Sequence, residues 1–136
     1  MGSQQLLLIV VGLVLIGIAI AVGMTMFADQ AISANRDEVA NDLTHFGTMA
    51  RSYYRRPTSF GGGGMSFKGL TMARITSKPS NDNGTYSLTP DPVSGNPPFV
   101  TLTGIGTQEG LNGTSNVRVV MVVYPDSIKI DESQMN

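Results

Sequence analysis

The stretch Leu6 to Phe27, LLLIVVGLVLIGIAIAVGMTMF, constrains this chain more than any other. It holds no charge and no proline, and its only polar side chain is Thr25. At 1.5 Å per residue it makes a helix about 33 Å long, enough to cross a hydrocarbon layer about 30 Å thick. A helix apolar on every side cannot stay in water. It is expected in lipid or in a bundle of like helices.

Met1-Gly2-Ser3-Gln4-Gln5 precedes this run without a lysine or arginine. A secretory signal begins with a basic region and has a shorter apolar segment, so the pattern differs from one. Two readings stand: a basic leader already removed upstream of Met1, or an added Met-Gly-Ser start. Gly12, Gly17 and Gly23 interrupt the run at spacings of five and six, which form no GxxxG seam. Gly17 and Gly23 are expected to soften the helix locally, since glycine lowers helix stability by up to about 1 kcal/mol.

Helical periodicity continues beyond Phe27. Ile32, Val39, Leu43, Phe46, Ala50 and Tyr53 form an apolar stripe, and Asp29, Asn35, Arg36, Asp37, Glu38, Asn41 and Asp42 are read as its wet face. No proline or glycine falls between Met24 and His45, so one helix is predicted from about Ser3 to Tyr54. Pro57 ends it, because the residue before a proline avoids helical geometry. Arg51, Arg55 and Arg56 suit the negative end of its dipole. His45 has no partner at helical spacing and reads as a helix-surface or semi-buried residue rather than a ligand.

The expected organisation is therefore residues 1–28 as an apolar helix half, 29–56 as an amphipathic half, and 57–136 as a small head. With nine basic and ten acidic residues the net charge is −1, which gives no field for a polyanion and disfavours obligatory nucleic-acid binding. There are no cysteines and one histidine, which argues against disulfides, thiolate metal sites and a histidine-centred hydrolase. No nucleophile–base set is present, and neither catalysis nor a cofactor is expected.

Gly61-Gly62-Gly63-Gly64 precedes Lys68 but lacks the Gly-Lys-Ser/Thr of a phosphate loop and follows a helix. It reads instead as a tight loop held by Phe60 and Phe67. Strands are predicted at Leu70–Thr76, Tyr86–Thr89, Phe99–Ile105 and Val117–Tyr124, with an edge strand at Ser127–Ile130. Asn83-Gly84 is a hairpin signal, and Gly106–Asn116 reads as a polar loop. The fold class is α+β: a long N-terminal helix packed through Val39, Leu43, Phe46, Ala50 and Tyr53 on an antiparallel sheet of about four strands. Asn83 and Asn112 begin Asn-Gly-Thr sequons and are candidate glycosylation sites. Asp91, Asp126, Asp131 and Glu132 read as solvated loop charges rather than a spaced calcium loop.

This arrangement, with Gln4-Gln5-Leu6-Leu7-Leu8-Ile9-Val10-Val11 at the start and Tyr53-Tyr54-Arg55-Arg56-Pro57-Thr58-Ser59-Phe60-Gly61-Gly62-Gly63-Gly64 at the helix-to-loop junction, resembles the type IV pilin superfamily, which includes type II secretion pseudopilins. The resemblance implies a peptidase-cleaved and N-methylated Met1. It also implies a prepilin peptidase and a pilus assembly machinery as partners, an inner-membrane stage, and a later cell-surface filament. Leu6, Leu7, Leu8, Ile9, Val10, Leu13, Leu15, Ile16, Ile18, Ile20, Val22 and Phe27 would then form the filament core. The chain departs from the family's pattern at three points. Gln5 replaces the usual glutamate, leaving Ser3, Gln4 and Gln5 to solvate the terminal amine; Val22 replaces a common proline; and no disulfide-bounded loop exists.

The expected function is thus a homopolymeric structural subunit of a type IV pilus-like filament. The alternatives are a secretion pseudopilin and a single-span anchored binding protein that does not polymerise. The unbroken helix argues against the last, since receptors usually carry a flexible juxtamembrane linker.

Overall fold

The computed structural model describes residues 2–136. One helix, α1, runs unbroken from Gly2 to Arg55, 54 residues and about 80 Å. No break falls at Phe27–Ala28, where the composition changes, because nothing there removes a backbone donor or forces a turn. The head wraps only the second half of this helix.

After a 3-10 turn at Thr58–Phe60 comes a one-turn helix, α2 (Met72–Ile75), then β1 (Gly84–Thr89), β2 (Val100–Glu109), β3 (Asn116–Val123) and β4 (Ile128–Ile130). The four strands form one antiparallel sheet in the order β1-β2-β3-β4, so the fold is α+β. β3 is the most apolar strand and is interior, while β4 is a short edge.

The core lies between one face of α1 and one face of this sheet. Val39, Leu43, Phe46 and Ala50 are buried against a sheet face built from Tyr86, Leu88, Val100, Leu102, Val117, Val119, Met121 and Val123. Burial alternates strictly in β1, as expected for a strand with one dry and one wet face. Helix and sheet approach closely where side chains are missing. A Cβ on Gly47 would touch Ile128, Met121 and Val123 at 3.1–3.3 Å, and one on Gly104 would lie 2.5 Å from Val39 Cγ1.

Four expectations are corrected. Leu70–Thr76 is not a strand: Met72–Ile75 forms α2, which buries Met72 and Ile75, three residues apart, on one face, with Leu70 buried just before it. Asp91 Oδ2 accepts from Met72 N at 3.3 Å at the start of that turn. β2 runs four residues past Ile105 to Glu109, because a register shift between Ile105 and Glu109 lets pairing with β3 resume at Asn116. Phe67 is fully buried beside Tyr54, but Phe60 is 76% exposed and does not hold the glycine loop. Asn35, placed on the wet face, is buried.

The glycine loop is held by the end of α1 instead. The N–H groups of Gly63, Gly64 and Met65 donate to the carbonyls of Tyr53, Arg56 and Tyr54 at 2.8–2.9 Å, satisfying acceptors that a helix terminus leaves open. Such close approach excludes side chains. A Cβ on Gly62 would collide with the Arg56 carbonyl, and one on Gly63 with that of Ser66.

Candidate functional site

The first candidate surface is the apolar half of α1. Leu6, Leu7, Leu8, Ile9, Val10, Leu13, Leu15, Ile16, Ile18, Ile20, Val22 and Phe27 are 52–76% exposed, and no part of the head covers them. α1 is long and apolar enough to cross a membrane. Its hydroxyl at Thr25 donates to Val22 O at 2.8 Å, so the one polar side chain is satisfied within the helix and burdens no apolar neighbour. Ser3, Gln4 and Gln5 are exposed at its beginning. Met1 lies outside the described residues. Gly17 and Gly23 continue the helix, and nothing lies within 4 Å of a Cβ added at either.

A bare surface of this size is unstable in water. Burying each large apolar side chain gains roughly 1.5–3 kcal/mol, and a dozen such residues act together. Moving the helix from lipid into a bundle of copies changes little in transfer free energy, because lipid tails are as apolar as leucine. Shape and packing then decide between the two environments.

The second feature is the polar seam that fixes the head to the helix. Asn35 Nδ2 donates to Asn83 O at 2.9 Å, while Asn35 Oδ1 accepts from Thr107 N at 3.0 Å and Gln108 N at 3.2 Å. Those two N–H groups lie within the β2 register shift, where the strand ladder leaves them without partners. Two turns further, Asp42 Oδ2 accepts from Tyr86 Oη, from Asn81 Nδ2 at 2.9 Å and from Asn83 Nδ2 at 3.0 Å. Burial raises the Asp42 carboxyl, but these three hydrogen bonds outweigh it and hold it below its ordinary value. Burial and the bond to Asp42 both push the Tyr86 hydroxyl well above its ordinary value. Arg36 Nη2 donates to Asn136 O at 2.8 Å, tying the end of the sheet layer to the same helix.

The upper end of α1 is basic. Arg51 reaches the Pro125 and Asp126 carbonyls, and Arg74 donates to Gly61 O at 3.0 Å while lying 5.7 Å from the Tyr53 ring centre. Tyr53, partly buried at the end of the stripe, donates its hydroxyl to Lys68 O at 2.8 Å.

The two sequons differ. Asn83 is half-buried and its amide is engaged by Asp42. Asn112 sits exposed at the tip of the β2–β3 turn, its Oδ1 accepting from Thr114 N and Ser115 N at 3.1 Å. Among the described residues no group of three His, Asp or Glu side chains could hold a metal ion. His45 is exposed, its ring tilted at 53° to that of Phe46 with 6.0 Å between ring centres.

Sequence reasoning missed Asn35 and Asp42. Asn35 falls three residues after Ile32 and four before Val39, in phase with the apolar stripe, and that phase was the available signal. Asp42 carries the same mark, three residues after Val39 and four before Phe46, but the partners that engage it lie 39 or more residues away in the chain.

No family model matches this chain, and neither a curated protein nor a solved structure does.

Proposed function

We propose that this chain is a structural subunit of an extracellular, type IV pilus-like helical filament and that it catalyses no reaction. The reading rests above all on one observation. α1 continues without a break from a bare apolar half into the half that carries the head, so the head sits on a rod whose apolar half must be covered by something.

In this reading the subunit waits in the inner membrane with Leu6–Phe27 in lipid. A prepilin peptidase processes it to leave an N-methylated Met1. An assembly machinery then transfers the apolar half into a core of like helices, and the heads tile the outside. Ser3, Gln4 and Gln5 supply hydrogen bonds to the terminal amine, which an all-apolar core would leave at a cost.

The test is electron microscopy and mass spectrometry of material sheared from the cell surface. Helical fibres composed of this chain, with a methylated Met1, are the expected result. Recovery only from detergent-extracted membranes, as monomers or dimers, would overturn the reading in favour of a single-span anchor.

A further inference from the structure

Charge on the second half of α1 recurs with the period of five helical turns. Asp37 and Glu38 are followed 18 residues later by Arg55 and Arg56. At 3.6 residues per turn, 18 residues complete five whole turns, so Arg55, the last residue of α1, shares the azimuth of Asp37 about 27 Å further along the axis, and Arg56 follows one residue past the helix end. All four residues are exposed; by helical phase Asp37 and Arg55 lie opposite the buried stripe, and Glu38 and Arg56 lie on its flank. Arg51 and Arg74 are committed to main-chain carbonyls of the head. Asp37, Glu38, Arg55 and Arg56 make no side-chain hydrogen bond among the described residues.

Attraction to the helix dipole reaches only the last turn. It accounts for arginines at the end of α1 and leaves Asp37 and Glu38, deep inside a 54-residue helix, without a reason. The two flanks also differ. Beside Arg56 the helix is crowded by Phe60, Gly61 and Arg74, whereas the shallow hollow holding Arg55 is lined by Thr48, Arg51, Ser52 and Arg56, with nothing from the head.

We propose that the second half of α1 docks laterally on a second copy of this chain, parallel and displaced about 26 Å along the helix axis, with Arg55 of one copy against Glu38 of the next. Seventeen residues separate the two positions, which places them about 100° apart round the helix. The contact therefore joins two different faces and repeats as an open array rather than closing as a dimer. The occupant is another copy because the complementary charge lies on the chain itself, and because, in the filament reading, the bare apolar half of α1 below this face is covered by neighbouring helices. The proposal rests on the filament reading for one thing, the parallel packing of many copies. An exposed ion pair contributes little affinity, so the charges set the axial register while apolar burial holds the copies together.

The chain has no cysteine, so introduced thiols report cleanly. The full-length variant Glu38→Cys/Arg55→Cys, treated with a short bis-maleimide on cells, is expected to give a ladder of multimers joined 38 to 55. Either single variant should stay monomeric, because this register sets no two like positions side by side. If filaments form and no 38–55 link is found, this register is wrong while the filament reading stands. If no filaments form but the ladder appears in membranes, the filament reading falls and the register survives. Neither filaments nor ladder would sink both. Charge exchange is an independent check: Glu38→Arg and Arg55→Glu should each lower multimer yield several-fold at low salt, and the two together should restore it. A double variant no better than the singles would overturn the proposal.

Discussion

Asn35 of the long helix and Gly106 of the second strand are in such close contact that a Cβ on the glycine would collide with Asn35 Oδ1. That oxygen also receives the Thr107 and Gln108 N–H groups, so the same atom closes the strand irregularity and sets the helix-to-sheet distance. The head is held at the lower end of the sheet by this polar contact and at the upper end by apolar packing around Ala50 and Phe67.

Gly106→Ala should therefore destabilise the head by about 1–3 kcal/mol, the usual cost of an overpacked contact. Asn35→Ala should cost about 1–2 kcal/mol, since it removes partners from three main-chain groups. Urea denaturation of the detergent-solubilised protein, followed by tyrosine fluorescence, measures both. An unchanged midpoint for Gly106→Ala would show that the helix can retreat without loss.

Asp42 makes stability depend on pH at the acid end. Its folded carboxyl titrates below the ordinary value of 3.8. The stabilisation is complete above 3.8 and is lost as pH falls through the lower folded value. Asp42→Asn should flatten that acid limb in thermal melts across pH 2–6 while leaving others in place.

Tyr86 acts at the opposite end. Its hydroxyl is raised above the ordinary value of 10.0, so its contribution is complete below pH 10 and is lost as pH rises towards the folded value. Tyr86→Phe keeps the edge-on packing against Phe46, at 5.0 Å between ring centres. It should abolish the loss of stability that begins above pH 10, and an alkaline limb persisting in that variant would assign it to another group.

The glycines fall into two groups that alanine separates. Gly62→Ala and Gly63→Ala should each destabilise the cap of α1 by more than about 1 kcal/mol, because each added carbon meets a main-chain carbonyl. Gly17→Ala and Gly23→Ala meet nothing in the single chain and should favour helix by up to about 1 kcal/mol. Hydrogen exchange of the detergent-solubilised protein should show slower exchange around these two positions. Unaltered exchange would remove the softening assigned to them.

Leu43 is fully buried in the centre of the helix–sheet interface. Leu43→Ala should cost about 2–5 kcal/mol, and Leu8→Ala on the bare half should leave the head's denaturation midpoint unmoved. A shift in the second variant would mean that the two halves of α1 unfold together.

Much of this architecture is legible in one dimension. Periods of 3.6 and 2 are local properties, so the unbroken helix, its apolar first half, the Val39–Tyr53 stripe and the interior strand at Val117 can be read directly from residue order. What lay out of reach is every contact whose two sides are far apart in the chain. Asn35 shares the phase of the apolar stripe, but its partners are fixed only when Thr107 and Gln108 are brought to it from 72 and 73 residues away. The tetraglycine run gives no hint that its N–H groups return to the helix it follows. Leu70–Thr76 has apolar residues that suit either a strand or a helical turn, and only the packing of Met72 and Ile75 into the core decides between them. Residue order by itself determined where the rod is apolar and where it is amphipathic, because that is a matter of side-chain pattern. Tertiary structure alone decided which polar groups grip the head and which charges remain on the outer face, because burial and hydrogen bonding depend on what the fold brings opposite.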